Sequence, residues 1–80
     1  MEYLFTFHTN FDANLLMKKL KPFGSVTQKP VPRKLSSSCG TAVVFSPSDS
    51  GFQTNDLKSL TFEKLYSVAG QNYTLLVEKE

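Results

Sequence analysis

The chain has 80 residues, of which 40% are hydrophobic, 12% aromatic and 20% charged, with a formal net charge of +2 and a single cysteine. Such a length bounds one domain, residues 1–80, whose folding buries roughly 60–65% of the surface of the unfolded chain, and the composition excludes a disordered protein. One cysteine excludes an internal disulfide framework, and one cysteine with one histidine is too small an inventory for a zinc site.

Glu2 to His8 alternates as a strand does, with Tyr3, Phe5 and Phe7 on one side and Leu4, Thr6 and His8 on the other. Thr9 or Asn10 then offers a helix N-cap, and Asp12 complements the helix dipole in the first turn. Ala13, Leu16, Met17 and Leu20 follow helical spacing, joined by Phe11 and Leu15, and Lys18, Lys19 and Lys21 read as a solvated face of the last turns. Pro22 and Gly24 end this helix. Ser25 to Lys29 predicts a short second strand. The PVPRKLSSS stretch that follows reads as a loop, because Pro30 and Pro32 lack the donors a central strand needs.

Gly40 to Phe45 (GTAVVF) is the strongest strand pattern in the chain, and Ser46 to Asn55 is turn-rich. Asp56 to Ala69 predicts a second helix with Leu57, Leu60, Leu65 and Val68 as core positions, closed by Gly70. Asn72 to Lys79 predicts the last strand. The order is β-α-β-β-α-β, which implies the α+β class and a ferredoxin-like sandwich: a four-stranded antiparallel sheet with two helices on one face. That topology predicts that His8, the helix start at Asn10 to Asp12, the Arg33 loop and Cys39 lie at one edge of the sheet.

A thiol reacts as its thiolate, which basic side chains and a helix N-terminus stabilise. Arg33, Lys34 and Lys29 supply charge near Cys39. Ser36, Ser37, Ser38 and Gly40 supply hydroxyl and backbone donors suited to a thiolate, a persulfide or another anion. His8 is the only histidine and hence the only imidazole base on offer. The opposing reading treats Cys39 as a small buried hydrophobe and the serines as turn formers. RNA recognition is excluded on pattern, since the third strand places Thr41, Val43 and Ser46 where such domains carry aromatics. No window has the length of a transmembrane helix and the N-terminus has no charged leader region, so the cytoplasm is the expected compartment.

The segment PVPRKLSSSCG, together with YLFTFH near the start, resembles a small bacterial family of selenium/sulfur carrier-like proteins, with close agreement over Tyr3 to His8 and Pro30 to Gly40. The resemblance implies a carrier more than a stand-alone enzyme, needing no cofactor beyond a persulfide or selenopersulfide held covalently on Cys39. The donor implied is a cysteine desulfurase, and the acceptor a selenophosphate synthetase or a sulfurtransferase; no nucleic acid or membrane partner is implied. Arg33 and the serines would stabilise the anionic chalcogen, and Gly40 would keep it accessible. Two other classes fit the same residues: a protein-interaction domain with a structural cysteine, and a redox sensor that forms a mixed disulfide through Cys39.

Overall fold

The computed structural model describes residues 2–35, 40–48 and 60–79. Among these residues the elements run β1 (Glu2–Thr6), α1 (Asn10–Leu20), a single 3₁₀ turn (Lys21–Phe23), β2 (Gly24–Pro30), β3 (Thr41–Pro47), β4 (Lys64–Ala69) and β5 (Asn72–Glu78). The five strands form one sheet in the order β2-β3-β1-β4-β5, and every neighbouring pair is antiparallel. β1 and β2 both run against β3, so they are parallel to each other, and α1 is the crossover that parallel strands require. No helix among the described residues is long and apolar enough to cross a membrane.

The α+β class and the antiparallel sheet agree with the sequence. The four strands and two helices do not: the described residues form five strands and one α-helix. The correction falls on the expected helix at Asp56 to Ala69. Its first four residues, with Leu57, lie outside the described residues, and Lys64–Ala69 is the strand β4. β4 pairs with β1 from Thr6↔Lys64 to Glu2↔Val68. Leu65 joins the core beneath α1, whereas Val68 packs on the opposite side of the sheet. One helical stripe would have put both on one face; the two-residue period of a strand divides them.

Gly70 does not cap a helix. It takes a φ of 63° in the hairpin that joins Ala69 to its partner Asn72, and no other described residue of that turn has positive φ. A two-residue hairpin with glycine first matches the type II′ turn, whose twist suits the flanking strands.

Tyr3, Phe5 and Phe7 of β1 point to the helix side, where they meet Ala13, Leu16 and Leu20 of α1, Val43 and Phe45 of β3, Leu65 and Phe62. Phe62 stands edge-on to Phe5 with centroids 5.2 Å apart, and the Lys79 ammonium lies 4.2 Å from the Phe62 centroid. Phe11 and Leu15 leave this stripe: they are 69% and 39% exposed. Ala13, Leu16 and Leu20 alone complete the buried face of α1, with Met17 at its margin.

Thr9 is the N-cap, extended at φ −140°, and its hydroxyl accepts the Asp12 amide at 3.2 Å. Thr9→Ala orphans that donor and is expected to cost about 1 kcal/mol. Urea denaturation checks it: the midpoint falls while the slope m stays at the parent value.

Candidate functional site

The register gives the sheet two ends. At one, Thr6 of β1 faces Ala42 of β3 and Lys64 of β4; at the other, Glu2 faces Val68, and the β4–β5 turn follows at once. His8 and the start of α1 belong to the first end. There Asn10 Oδ1 accepts the Thr41 hydroxyl at 2.7 Å, which ties the first residue of α1 to the first residue of β3. The expected meeting of the helix start with the beginning of the third strand is therefore present.

Val31 donates its amide to the Gly40 carbonyl at 3.1 Å, extending the β2–β3 pairing one step past Pro30↔Thr41. Gly40 has a φ of 73°, and a Cβ added there would meet nothing within 4 Å. The backbone thus reaches β3 through an exposed glycine in the left-handed region, where a side chain is strained but has space. Ser36, Ser37, Ser38 and Cys39 lie outside the described residues. Leu35 and Gly40, the residues that bracket them, are placed.

From Val31 the chain folds back over the side of the sheet opposite α1. Leu35 donates to the Pro32 carbonyl at 3.0 Å, closing a turn with Arg33 and Lys34 at its centre. Val31 and Leu35 pack on the cluster formed by Leu4, Ala42, Tyr66, Val44, Val68 and Tyr73, while Arg33 and Lys34 stay exposed. The two apolar residues of an otherwise polar segment anchor it, and the two cations are held outward as a consequence. Lys34 Nζ reaches the Gln71 carbonyl at 3.5 Å, and Arg33 lines a shallow groove of about 290 Å³ with Pro32, Lys34, Gln71 and Tyr73. Gln71 belongs to the β4–β5 turn, so Arg33 is set toward the end of the sheet away from His8. The single edge cluster expected from topology is divided: His8, Asn10, Thr41 and Gly40 gather at one end, and Arg33 is carried across the open face.

Beside His8 stands a carboxylate that the sequence pattern assigned to a helix. Glu63 is fixed by its backbone, its amide donating to the Thr6 carbonyl at 2.7 Å and its carbonyl accepting from Lys79 at 2.9 Å. Its side chain is 13% exposed, accepts the Thr6 hydroxyl at 3.4 Å, and brings Oε2 to 3.9 Å from His8 Nδ1. The His8 side chain is 50% exposed. A carboxylate beside one ring nitrogen orients the half-exposed imidazole. The only sequence sign of Glu63 was its position just before the apolar pair Leu65–Tyr66, legible once that pair is read as a strand. No group of His, Cys, Asp and Glu suited to a metal ion occurs among the described residues.

No curated protein and no solved structure matches the chain. A family model described as "Putative Se/S carrier protein-like" does match it over residues 2–67, which include all of the segment from Pro30 to Gly40, and the chain belongs to that family.

Proposed function

We propose that this protein carries sulfur or selenium as a persulfide or selenopersulfide on Cys39, taking it from one protein and handing it to another. The observation that carries the reading is the family match across the only cysteine and its PVPRKLSSSCG setting. The exposed backbone at Gly40, open on the side where a Cβ would stand, supports it by leaving room beside the residue that follows the thiol. In loading, the Cys39 thiolate attacks the terminal sulfur of a donor persulfide. The donor's S–S bond breaks as the Cys39 S–S bond forms, and the donor leaves as a thiolate, so one disulfide-type bond replaces another without outside oxidant. Unloading is the same exchange with an acceptor thiolate. A cysteine desulfurase fits as donor and a selenophosphate synthetase or sulfurtransferase as acceptor, in a reducing cytoplasm. Within this scheme Ser36, Ser37 and Ser38 supply donors to the anionic chalcogen, and His8 serves as proton carrier from the end of the sheet where Gly40 lies. Arg33, carried across the open face, contributes only through the long-range charge of its turn.

Intact mass tests the proposal, measured after incubation with a cysteine desulfurase and cysteine. The wild-type chain should gain whole sulfur atoms, lose them to a reductant and become a substrate for the same assay with selenium; Cys39→Ala should gain none while keeping its fold. A wild-type chain that gains no sulfur, and whose thiol alkylates slowly when folded, is instead an interaction domain with a structural cysteine. Cycling with glutathione without sulfur uptake identifies a redox sensor, which equally defeats the carrier reading.

A further inference from the structure

Charge is distributed unevenly along this chain. Residues 13–48 contain six of the nine basic residues (Lys18, Lys19, Lys21, Lys29, Arg33 and Lys34) and none of the seven acidic ones. The fold sets Lys18 and Lys21 on the flank made by α1 and β2, whereas Lys19 lies beside Thr61 on the other side of the helix. Neither Lys18 nor Lys21 enters an ion pair among the described residues, where the pairs are His8–Glu63 and Lys64–Glu78.

On the same flank lies a groove of about 430 Å³ between α1 and β2, lined by Asn14, Met17, Lys18, Lys21, Val26 and Gln28. Met17 and Val26 form an apolar floor continuous with the core, and Lys18 and Lys21 stand on the rim. β2 is the outermost strand of the sheet, so one of its edges pairs with no described strand. Its burial pattern is that of an exposed edge, with only Gly24 and Val26 partly covered. A backbone edge and cations that no described residue pairs, together with an apolar floor, suit the capture of an extended segment. Main-chain bonds give affinity, and alternate side chains facing the groove give selectivity.

We propose that the edge of β2 with this groove receives an extended, acidic segment of a partner protein, which adds to the sheet as a further antiparallel or parallel strand. The groove-facing side chains of that segment are acidic, apolar and acidic at every second position, set over Lys18 and Lys21 and over the Met17–Val26 floor. The rim charges select acidic segments and repel basic ones. β2 ends at Pro30, whose partner is Thr41, so a strand docked along it is delivered toward the end of the sheet where Gly40 lies. Docking gives the carrier a way to hold its donor or acceptor, yet the docking itself requires no thiol and can be measured apart from sulfur transfer.

The test uses the full chain, ¹⁵N-labelled and kept reduced. The probe is a capped heptapeptide of alternating threonine with glutamate, valine and glutamate at the even positions; lysine replaces glutamate in its control. The amides of Ser25 to Gln28 should shift on titration, and the glutamate peptide should bind about tenfold tighter than the lysine one, a preference that shrinks as salt is raised. Lys18→Glu/Lys21→Glu should reverse the preference. Lys18→Gln/Lys21→Gln should abolish it, and the amide spectrum of each variant shows that it is folded. The proposal is overturned by equal binding of the two peptides, by the absence of β2 shifts at about 1 mM peptide, or by shifts confined to β5 or the Arg33 turn. β2 shifts that depend on protein concentration alone would assign the edge to a second copy and overturn it too. So would an oligothymidylate that moves the α1 lysines and leaves the β2 edge unmoved. A chain that binds the acidic peptide but takes up no sulfur keeps this surface and loses the carrier role.

Discussion

Phe5→Ala is expected to remove a quarter or more of this protein's folding stability. Phe5 is fully buried on the central strand β1, where its register partners are Val43 on one side and Leu65 on the other. Its ring lies edge-on to Phe62 at 5.2 Å and stacks near Phe7 at 6.4 Å, and Leu16 and Leu20 of α1 belong to the same cluster. Three hydrogen-bonded strands form the floor of that space, so the walls cannot collapse far into the void. A Phe→Ala change at such a site costs about 3–5 kcal/mol, whereas an 80-residue domain has about 4–12 kcal/mol in total. The unfolding free energy from urea denaturation should fall by that amount, with Phe5→Leu losing about 1.5 kcal/mol or less because most of the volume is kept. A loss below about 1 kcal/mol for Phe5→Ala would mean that the helix-side core is loosely filled.

The first half of the chain was legible because each element there obeys one period. β1 alternates cleanly, and α1 carries a helical stripe with a threonine cap before it and a proline-glycine pair after it. β4 was not legible, for a physical reason. Its sheet is covered on both sides, by α1 and Phe62 on one and by Val31 and Leu35 on the other, so Leu65 and Tyr66 are both buried although they are neighbours in sequence. A strand with two apolar faces loses its alternation, and the three-residue spacing of Leu65 and Val68 then imitates a helix. The glycine at position 70 completed the imitation, because a helix end and a hairpin turn both demand positive φ.

The candidate site divided along the same line. The contact of Asn10 with Thr41 followed from topology, since the crossover returns the helix start to the end of β1 and the start of β3. The path of the Pro30 loop did not follow, because it depends on Val31 and Leu35 finding an apolar surface that includes Tyr66 and Val68, residues assigned to a helix. Once those two stand on β4, the open face needs a cover, and the only apolar residues between β2 and Leu35 supply it. Glu63 was lost with the same misassignment. The cation-rich segment, by contrast, was visible as a composition and only its geometry was missing: six basic residues were in view, but not the edge strand and the groove that give Lys18 and Lys21 a common use.

Gly24→Ala should detach the start of β2 from β3, with a cost of about 3 kcal/mol. The reason is steric and not conformational, because Gly24 is extended at φ 164°, which any residue adopts. A Cβ there would stand 2.1 Å from the Ser46 carbonyl oxygen, 2.8 Å from Pro47 Cα and 2.9 Å from the Ser48 amide nitrogen. All three are backbone atoms, so no side-chain rotation relieves the clash, and the strands must separate at the Gly24↔Pro47 and Ser25↔Ser46 pairs. The Phe23 carbonyl, which accepts both the Ser48 amide at 3.0 Å and its hydroxyl at 3.1 Å, would be drawn away with them. Gly70→Ala is the contrasting variant: its Cβ would meet nothing within 4 Å, and only the φ of 63° is unfavourable, so about 1 kcal/mol is expected. Amide hydrogen exchange separates the two mechanisms. In Gly24→Ala, protection should fall along Ser25 to Gln28 and persist in β1 and β4, and the acidic heptapeptide should lose its affinity because the edge it pairs with is no longer held. In Gly70→Ala the β2 amides should keep their protection, since the turn at fault lies across the sheet. Equal protection of β2 in both variants would mean that β3 yields at Ser46–Pro47, and would move the origin of the edge's rigidity from the Gly24 contact to the Val26–Phe45 core pair.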